Sequence, residues 1–137
     1  MYKYHNENPN GYHIPDCVIR AITTATGLSY YDVICKLKRN GDLFKCDELN
    51  VRCYEKLLDI DFDLPHYVCD NKKAYQVAED FRYNIVLIRM RGHLSVSVFG
   101  CIMDIWDCSE EFVTDFWIVE LVGLINFKAT FLLPKFN

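Results

Sequence analysis

The chain carries seven cysteines, at positions 17, 35, 46, 53, 69, 101 and 108, yet no two of them have C-x-x-C spacing. The zinc-ribbon and thioredoxin-like motifs, which need two closely spaced thiols, are therefore absent. The opening stretch MYKYHNENPNGYHIPD has no apolar core, so no secretory signal is expected there. No apolar run reaches the length of a membrane span, and the longest, around Phe116 to Ile125, is interrupted by Glu120. Basic residues form no stripe and the formal net charge is −4, which removes the electrostatic case for nucleic acid. Internal repeats, low-complexity segments and linkers are also missing. These absences lead to the expectation of a soluble, cytoplasmic protein with free thiols, binding neither nucleic acid nor membrane. His5 and His13 lie near Cys17 in sequence, but no fourth ligand can be identified, so neither a metal nor another cofactor is expected.

What is present is enough for a core. A length of 137 residues suits one domain, 1–137, and 51% hydrophobic residues with 9 Tyr, 9 Phe and 2 Trp can fill it. The first half has helical spacing. Val18, Ala21, Ile22 and Ala25 predict a helix from Cys17 to Thr26, with Asp16 as N-cap and Gly27 as stop. Ser29 and Asp32 form an S-x-x-D capping box for a second helix reaching Gly41. Asn50 can cap a third, Asp59 to Pro65 suggests a loop, and Asn71 can cap a fourth over Lys72 to Phe81. The period then changes. Asn84 to Met90 is a short apolar run, His93 onward alternates, Gly100 makes a tight turn, and Cys101 to Asp107 returns. FWIVELVGLINF and ATFLL supply one or two further strands. The expected class is α+β, with N-terminal helices packed on one face of a C-terminal antiparallel sheet.

The chemistry-bearing residues fall at two element starts and on the returning strand. Cys17 stands at a helix start, where outward N–H groups and the helix dipole favour a thiolate. His93 opens the alternating strand. Asp104 lies on the returning strand, four residues past Gly100, which counts it opposite Val96. The same count puts Asp107 opposite His93, so either carboxylate can serve as third partner. A nucleophilic thiol needs a base within reach, and the base gains from a group that orients it. The Cys17 N–H is a candidate oxyanion donor. Arg20, one turn on, either supports the thiolate or pairs with Asp16 or Asp32. The other six cysteines read as structural or incidental.

In order and type, these residues resemble papain-like cysteine peptidases. DCVIRAITTATGLSYYDV is similar to the nucleophile helix of small phage and bacterial proteins of that superfamily, and GHLSVSVFGCIMDIWD to their histidine and acid strands. The resemblance implies a papain-like fold and a cysteine hydrolase of peptide, isopeptide or amide bonds. Cys17 would be nucleophile, His93 general base and acid, and Asp104 the orienter of His93. The family's upstream glutamine is missing here. Asn10 and His13 are the nearest substitutes for the oxyanion hole, and Trp106 is a candidate for stacking on substrate. The implied partner is a protein or peptide substrate. The alternative is a catalytically weak or inactive papain-like binding protein or inhibitor, such as a viral accessory protein acting on a host factor inside the host cell. A deamidating or acyl-transfer enzyme would use the same three residues.

Overall fold

The computed structural model describes residues 1–119. Its first helix, α1 (Cys17–Thr26), buries Val18, Ala21, Ile22 and Ala25 and stops at Gly27, whose φ of 72° suits glycine. In the second, α2 (Tyr30–Phe44), the Ser29 hydroxyl accepts the Asp32 N–H at 3.1 Å. The helix passes through Gly41 instead of ending there. A side chain at position 41 would stand 3.0 Å from the Cys46 carbonyl, so this glycine serves a close approach of the following loop. Asn50 caps α3 (Val51–Lys56), accepting the Arg52 N–H at 3.0 Å. The helix then continues as a π-helical turn, Leu57–Asp61, in place of the expected loop, held by the buried Leu57 and Leu58. The last helix, α4 (Ala74–Asp80), starts later than Asn71 suggests. The Ala74 and Tyr75 N–H groups donate to the Glu111 and Ser109 carbonyls, which draws the preceding residues into the 109–113 segment.

Among the described residues six strands form one sheet: β1 (Tyr2–Tyr4), β2 (His66–Val68), β3 (Ile85–Met90), β4 (His93–Val98), β5 (Cys101–Asp104) and β6 (Val113–Val119). Their order is β1-β5-β4-β3-β6-β2. The expected antiparallel run β3-β4-β5 is present, and β6 pairs on the free side of β3. The sheet is nevertheless mixed, because β1 runs parallel to β5. Both unanticipated strands, β1 and β2, are three residues long, too short to display a two-residue period. The part of FWIVELVGLINF beyond Val119, and ATFLL, lie outside the described residues.

The helices cover both faces of the sheet, not one. Leu87, Leu94, Val96 and Trp117 pack with α1, α2 and α3, while Val86, Ile88, Ile102 and Phe116 pack with Ala74, Val77 and Ala78 of α4. Strand alternation produces this split. It also explains why Ser95 and Ser97, on the α4 side of β4, are buried. The expectation of free thiols is corrected at two positions: Cys46 and Cys53 form a disulfide. Among the described residues no helix is long and apolar enough to cross a membrane.

Candidate functional site

Asp16 occupies the N-cap position of α1, but its side chain caps nothing. Oδ1 accepts Arg20 Nε at 2.6 Å, and Oδ2 accepts the Tyr30 hydroxyl at 2.7 Å and the Asn8 amide at 3.0 Å. The helix start at Cys17 therefore keeps its positive dipole end without the usual side-chain cap. A local rule is broken here in favour of a buried network, as functional sites often require.

Arg20 carries that network to the sheet. Its Nη1 donates to Asp104 Oδ1 at 2.9 Å, so the expected pairing with Asp16 holds and Asp32 is not its partner. Asp104 also takes the Ile105 N–H on Oδ1 at 2.7 Å. Its Oδ2 meets His93 Nε2 at 2.7 Å and accepts the Ser95 hydroxyl at 2.6 Å, with Cys108 Sγ at 3.8 Å. Asp16, Arg20 and Asp104 are all buried. Two carboxylates in that setting require two cations, and Arg20 with a protonated His93 supplies them.

The titration behaviour follows. Burial alone would depress the His93 imidazole, but its hydrogen bond to Asp104, with the Cys108 and Cys17 sulfurs adjoining, outweighs that and pushes it up to about 11. Burial would raise Asp104, but His93, Ser95 and Arg20 hold it down to about 2. Cys17 is likewise desolvated, yet His93, the Leu94 backbone N–H and Arg20 bring its thiol below the ordinary range. With Nε2 engaged by Asp104, Nδ1 is the ring nitrogen left for the thiol.

The hairpin between β4 and β5 accounts for the partners. Phe99 and Gly100 form a two-residue turn, both at positive φ, and the ladder pairs Val98 with Cys101 and Ser97 with Ile102. Continued, this register sets Ser95 beside Asp104 and Trp106 beside His93, one residue off the count made from Gly100 alone. The Trp106 ring indeed lies 5.0 Å from the imidazole, half exposed over it. Asp107 is displaced from His93; it is exposed and accepts the Ser109 N–H at 3.0 Å and the Ser109 hydroxyl.

Beside Cys17 and His93 opens a cleft of about 260 Å³, lined also by Val18, Leu49, Asn50, Val51, Tyr54 and Arg89. The Cys46–Cys53 disulfide brackets Leu49, Asn50 and Val51 and so ties α3 to the segment that follows α2. Neither Asn10 nor His13 lines the cleft. Asn10 is exposed, with its N–H on Asn8 Oδ1 at 3.0 Å, and His13 is exposed with Nε2 2.9 Å from the Tyr4 hydroxyl. Asn8, not anticipated from sequence, is the buried amide of this segment, though both ends of its side chain are engaged within the protein. Cys108 is also more than incidental. Its sulfur, His93 and Asp104 are three donors within 4.8 Å of one another, the set among the described residues that could converge on a metal ion. A cation there would have to break the His93–Asp104 bond beside the Arg20 guanidinium, so the donor set fits the hydrogen-bonded network better. Ser95 was within reach of the sequence through the two-residue turn register; Asn8, Tyr30 and Cys108 carry no sequence signal for their places.

No protein-family profile, no curated protein and no solved structure matches this chain.

Proposed function

We propose that the protein is a papain-like cysteine hydrolase acting on a peptide, isopeptide or other amide bond. The observation that carries this reading is the placing of one imidazole between a helix-start thiol and a buried carboxylate, His93 Nε2 lying 2.7 Å from Asp104 Oδ2. That is the arrangement of nucleophile, base and orienter. The Cys17 thiolate attacks the carbonyl carbon, and the oxyanion forms beside the uncapped α1 start, where the Cys17 N–H can donate. Protonated His93 then gives its proton to the leaving nitrogen, the C–N bond breaks, and a thioester remains on Cys17. Neutral His93 takes a proton from water, which attacks the thioester and releases the acid, restoring the thiolate–imidazolium pair. Asp104 stays ionised throughout and fixes the ring. An amine in place of water would give acyl transfer, which product mass distinguishes. The substrate is a protein or peptide, and the cytoplasm is the proposed compartment.

The test is site-resolved alkylation. Native protein is titrated with iodoacetamide from about pH 5 to 9, and each cysteine is followed by mass spectrometry in wild type and in His93→Ala. The expected result is that Cys17 alone reacts fast below neutral pH and loses that advantage without His93. If Cys17 titrates like the exposed Cys35, the hydrolase reading fails and a binding protein or inhibitor on this scaffold takes its place.

A further inference from the structure

The strand β3 is apolar except for Arg89. Ile85, Leu87 and Arg89 share the face of the sheet turned toward α1, α2 and α3, whose buried apolar groups include Val18, Leu37, Leu57 and Trp117. A guanidinium placed there is costly unless it has a partner and a task. The partner is Asp115, whose Oδ1 accepts Arg89 Nε at 2.5 Å. Asp115 is itself held: its Oδ2 lies 2.6 Å from His66 Nε2, and His66 stacks on the fully buried Trp117 at 4.1 Å. Asp59 closes the chain, reached by His66 Nδ1 at 3.0 Å and by the Trp117 N–H at 2.6 Å. This much support fixes one side of the guanidinium only. Among the described residues the Nη groups have no acceptor, and the side chain, one quarter exposed, lines the cleft at Cys17.

Its position relative to the thiol follows from the ladder. Arg89 is the register partner of Leu94, and Leu94 lines the cleft beside Cys17 and His93. Arg89 and Cys17 thus line the same cleft, with the Arg89 guanidinium held on its Asp115 side. Among the described residues, Arg89 is, apart from His93, the cationic side chain of the cleft lining, and no carboxylate lines it.

We propose that Arg89 is a substrate-binding residue whose outward Nη groups receive a carboxylate of the peptide substrate, close to the bond presented to Cys17. This rests on the reading of Cys17 as nucleophile and adds a substrate class: acidic peptides, with the carboxylate coming from an Asp or Glu side chain or from a chain terminus. The planar fork of arginine suits a carboxylate better than a lysine would.

The experiment uses the whole protein and three chloromethyl ketone probes, acetyl-Xaa-Gly with Glu, Gln or Lys at Xaa. The thiolate displaces chloride to form a thioether, and the rate of labelling at Cys17 is read by mass spectrometry. The expected result is labelling by the Glu probe about tenfold faster than by its Gln isostere, the worth of one charge-assisted hydrogen bond in a half-exposed site, and the Lys probe slowest. In Arg89→Gln the preference of Glu over Gln disappears; Arg89→Lys retains part of it. Should Arg89→Gln fail to fold, the wild-type comparison of Glu with Gln still decides. Competition then separates the sources: a blocked peptide with a Glu side chain, or a neutral peptide with a free terminal carboxylate, protects Cys17. Brisk labelling with equal Glu and Gln rates and no protection overturns the inference alone. Labelling of Cys17 no faster than of Cys35 by every probe overturns the nucleophile reading, and this inference with it.

Discussion

Arg20 Nη1 lies 2.9 Å from Asp104 Oδ1, while the other oxygen of the same carboxylate holds His93. One guanidinium thus joins the residue before the thiol, Asp16, to the residue that orients the imidazole. Removing it leaves two buried carboxylates with one fewer cation. Arg20→Gln is expected to lower stability by about 3–5 kcal/mol, the cost of orphaning a buried charge. It should also slow alkylation of Cys17 at neutral pH, because Arg20 lowers the thiol and holds Asp104 in place. Denaturant unfolding and alkylation kinetics together check this. Reduced stability with an unchanged Cys17 rate would make Arg20 purely structural.

The Cys46–Cys53 disulfide closes a loop of seven residues' separation around Leu49, Asn50 and Val51. Opening it should cost roughly 2–3 kcal/mol through the freed chain. The cleft wall loosens as well, so Cys46→Ser with Cys53→Ser is expected to raise KM more than it lowers kcat on a peptide substrate. Cys17 alkylation below neutral pH should keep its wild-type rate, since His93, Leu94 and Arg20 are untouched. A changed alkylation rate would show that the loop acts on the thiol itself.

Phe99 adopts a φ of 49° in the two-residue turn and is largely exposed. A bulky residue is strained in that region, where asparagine is accommodated. Phe99→Asn is expected to stabilise the protein by about 0.5–1 kcal/mol with the hairpin register, and hence the Ser95–Asp104 contact, retained. Thermal unfolding reads the gain, and unaltered Cys17 reactivity reports the register.

That turn also marks the border of what the sequence made legible. Elements with a clear period, α1 and β4, were readable to their ends, as were the Ser29 and Asn50 caps. Cys17 and His93 could be named because each stands at an element's start with the right chemistry, and Asp104 because it lies on the strand that returns beside His93. The count from Gly100 missed by one because Phe99 gives no sign of a left-handed conformation, and the error assigned the wrong neighbours to Asp104 and His93. Asp16 shows the opposite failure. Its type and position satisfy the capping rule, but a long-range partner, Asp104 through Arg20, diverts the side chain. Such a choice between local and distant partners is decided by tertiary packing. The strands β1 and β2 were invisible for the same reason, since three residues acquire strand character only from the strand beside them.

The titration of the site gives a prediction with a definite sign. His93 is raised to about 11 and Asp104 lowered to about 2, each chiefly by the other once burial is overcome. A raised imidazole contributes stability that is complete below its unfolded value of about 6.5 and is lost as pH climbs through the folded value. A lowered carboxyl contributes stability that is complete above about 3.9 and is lost as pH falls toward its folded value. The pair therefore adds its full stability between about pH 4 and 6.5. On the proposed hydrolase mechanism, activity follows a different window, because it needs the thiolate together with the imidazolium. It should rise with pH through the lowered Cys17 value and fall as His93 loses its proton. Asp104→Asn removes the charge that sustains His93. Its pKa then drops, the Cys17 pKa rises, and the two limbs move toward each other. The checks, from pH 4 to 10 in both proteins, are denaturant midpoints for stability, Cys17 alkylation rates for the thiolate limb and turnover of a peptide substrate for the full window. Wild type should show the stability plateau and a broad activity window, and Asp104→Asn a flatter stability curve and a narrow, lower maximum. Superimposable profiles would mean that Asp104 supports the fold without tuning the pair.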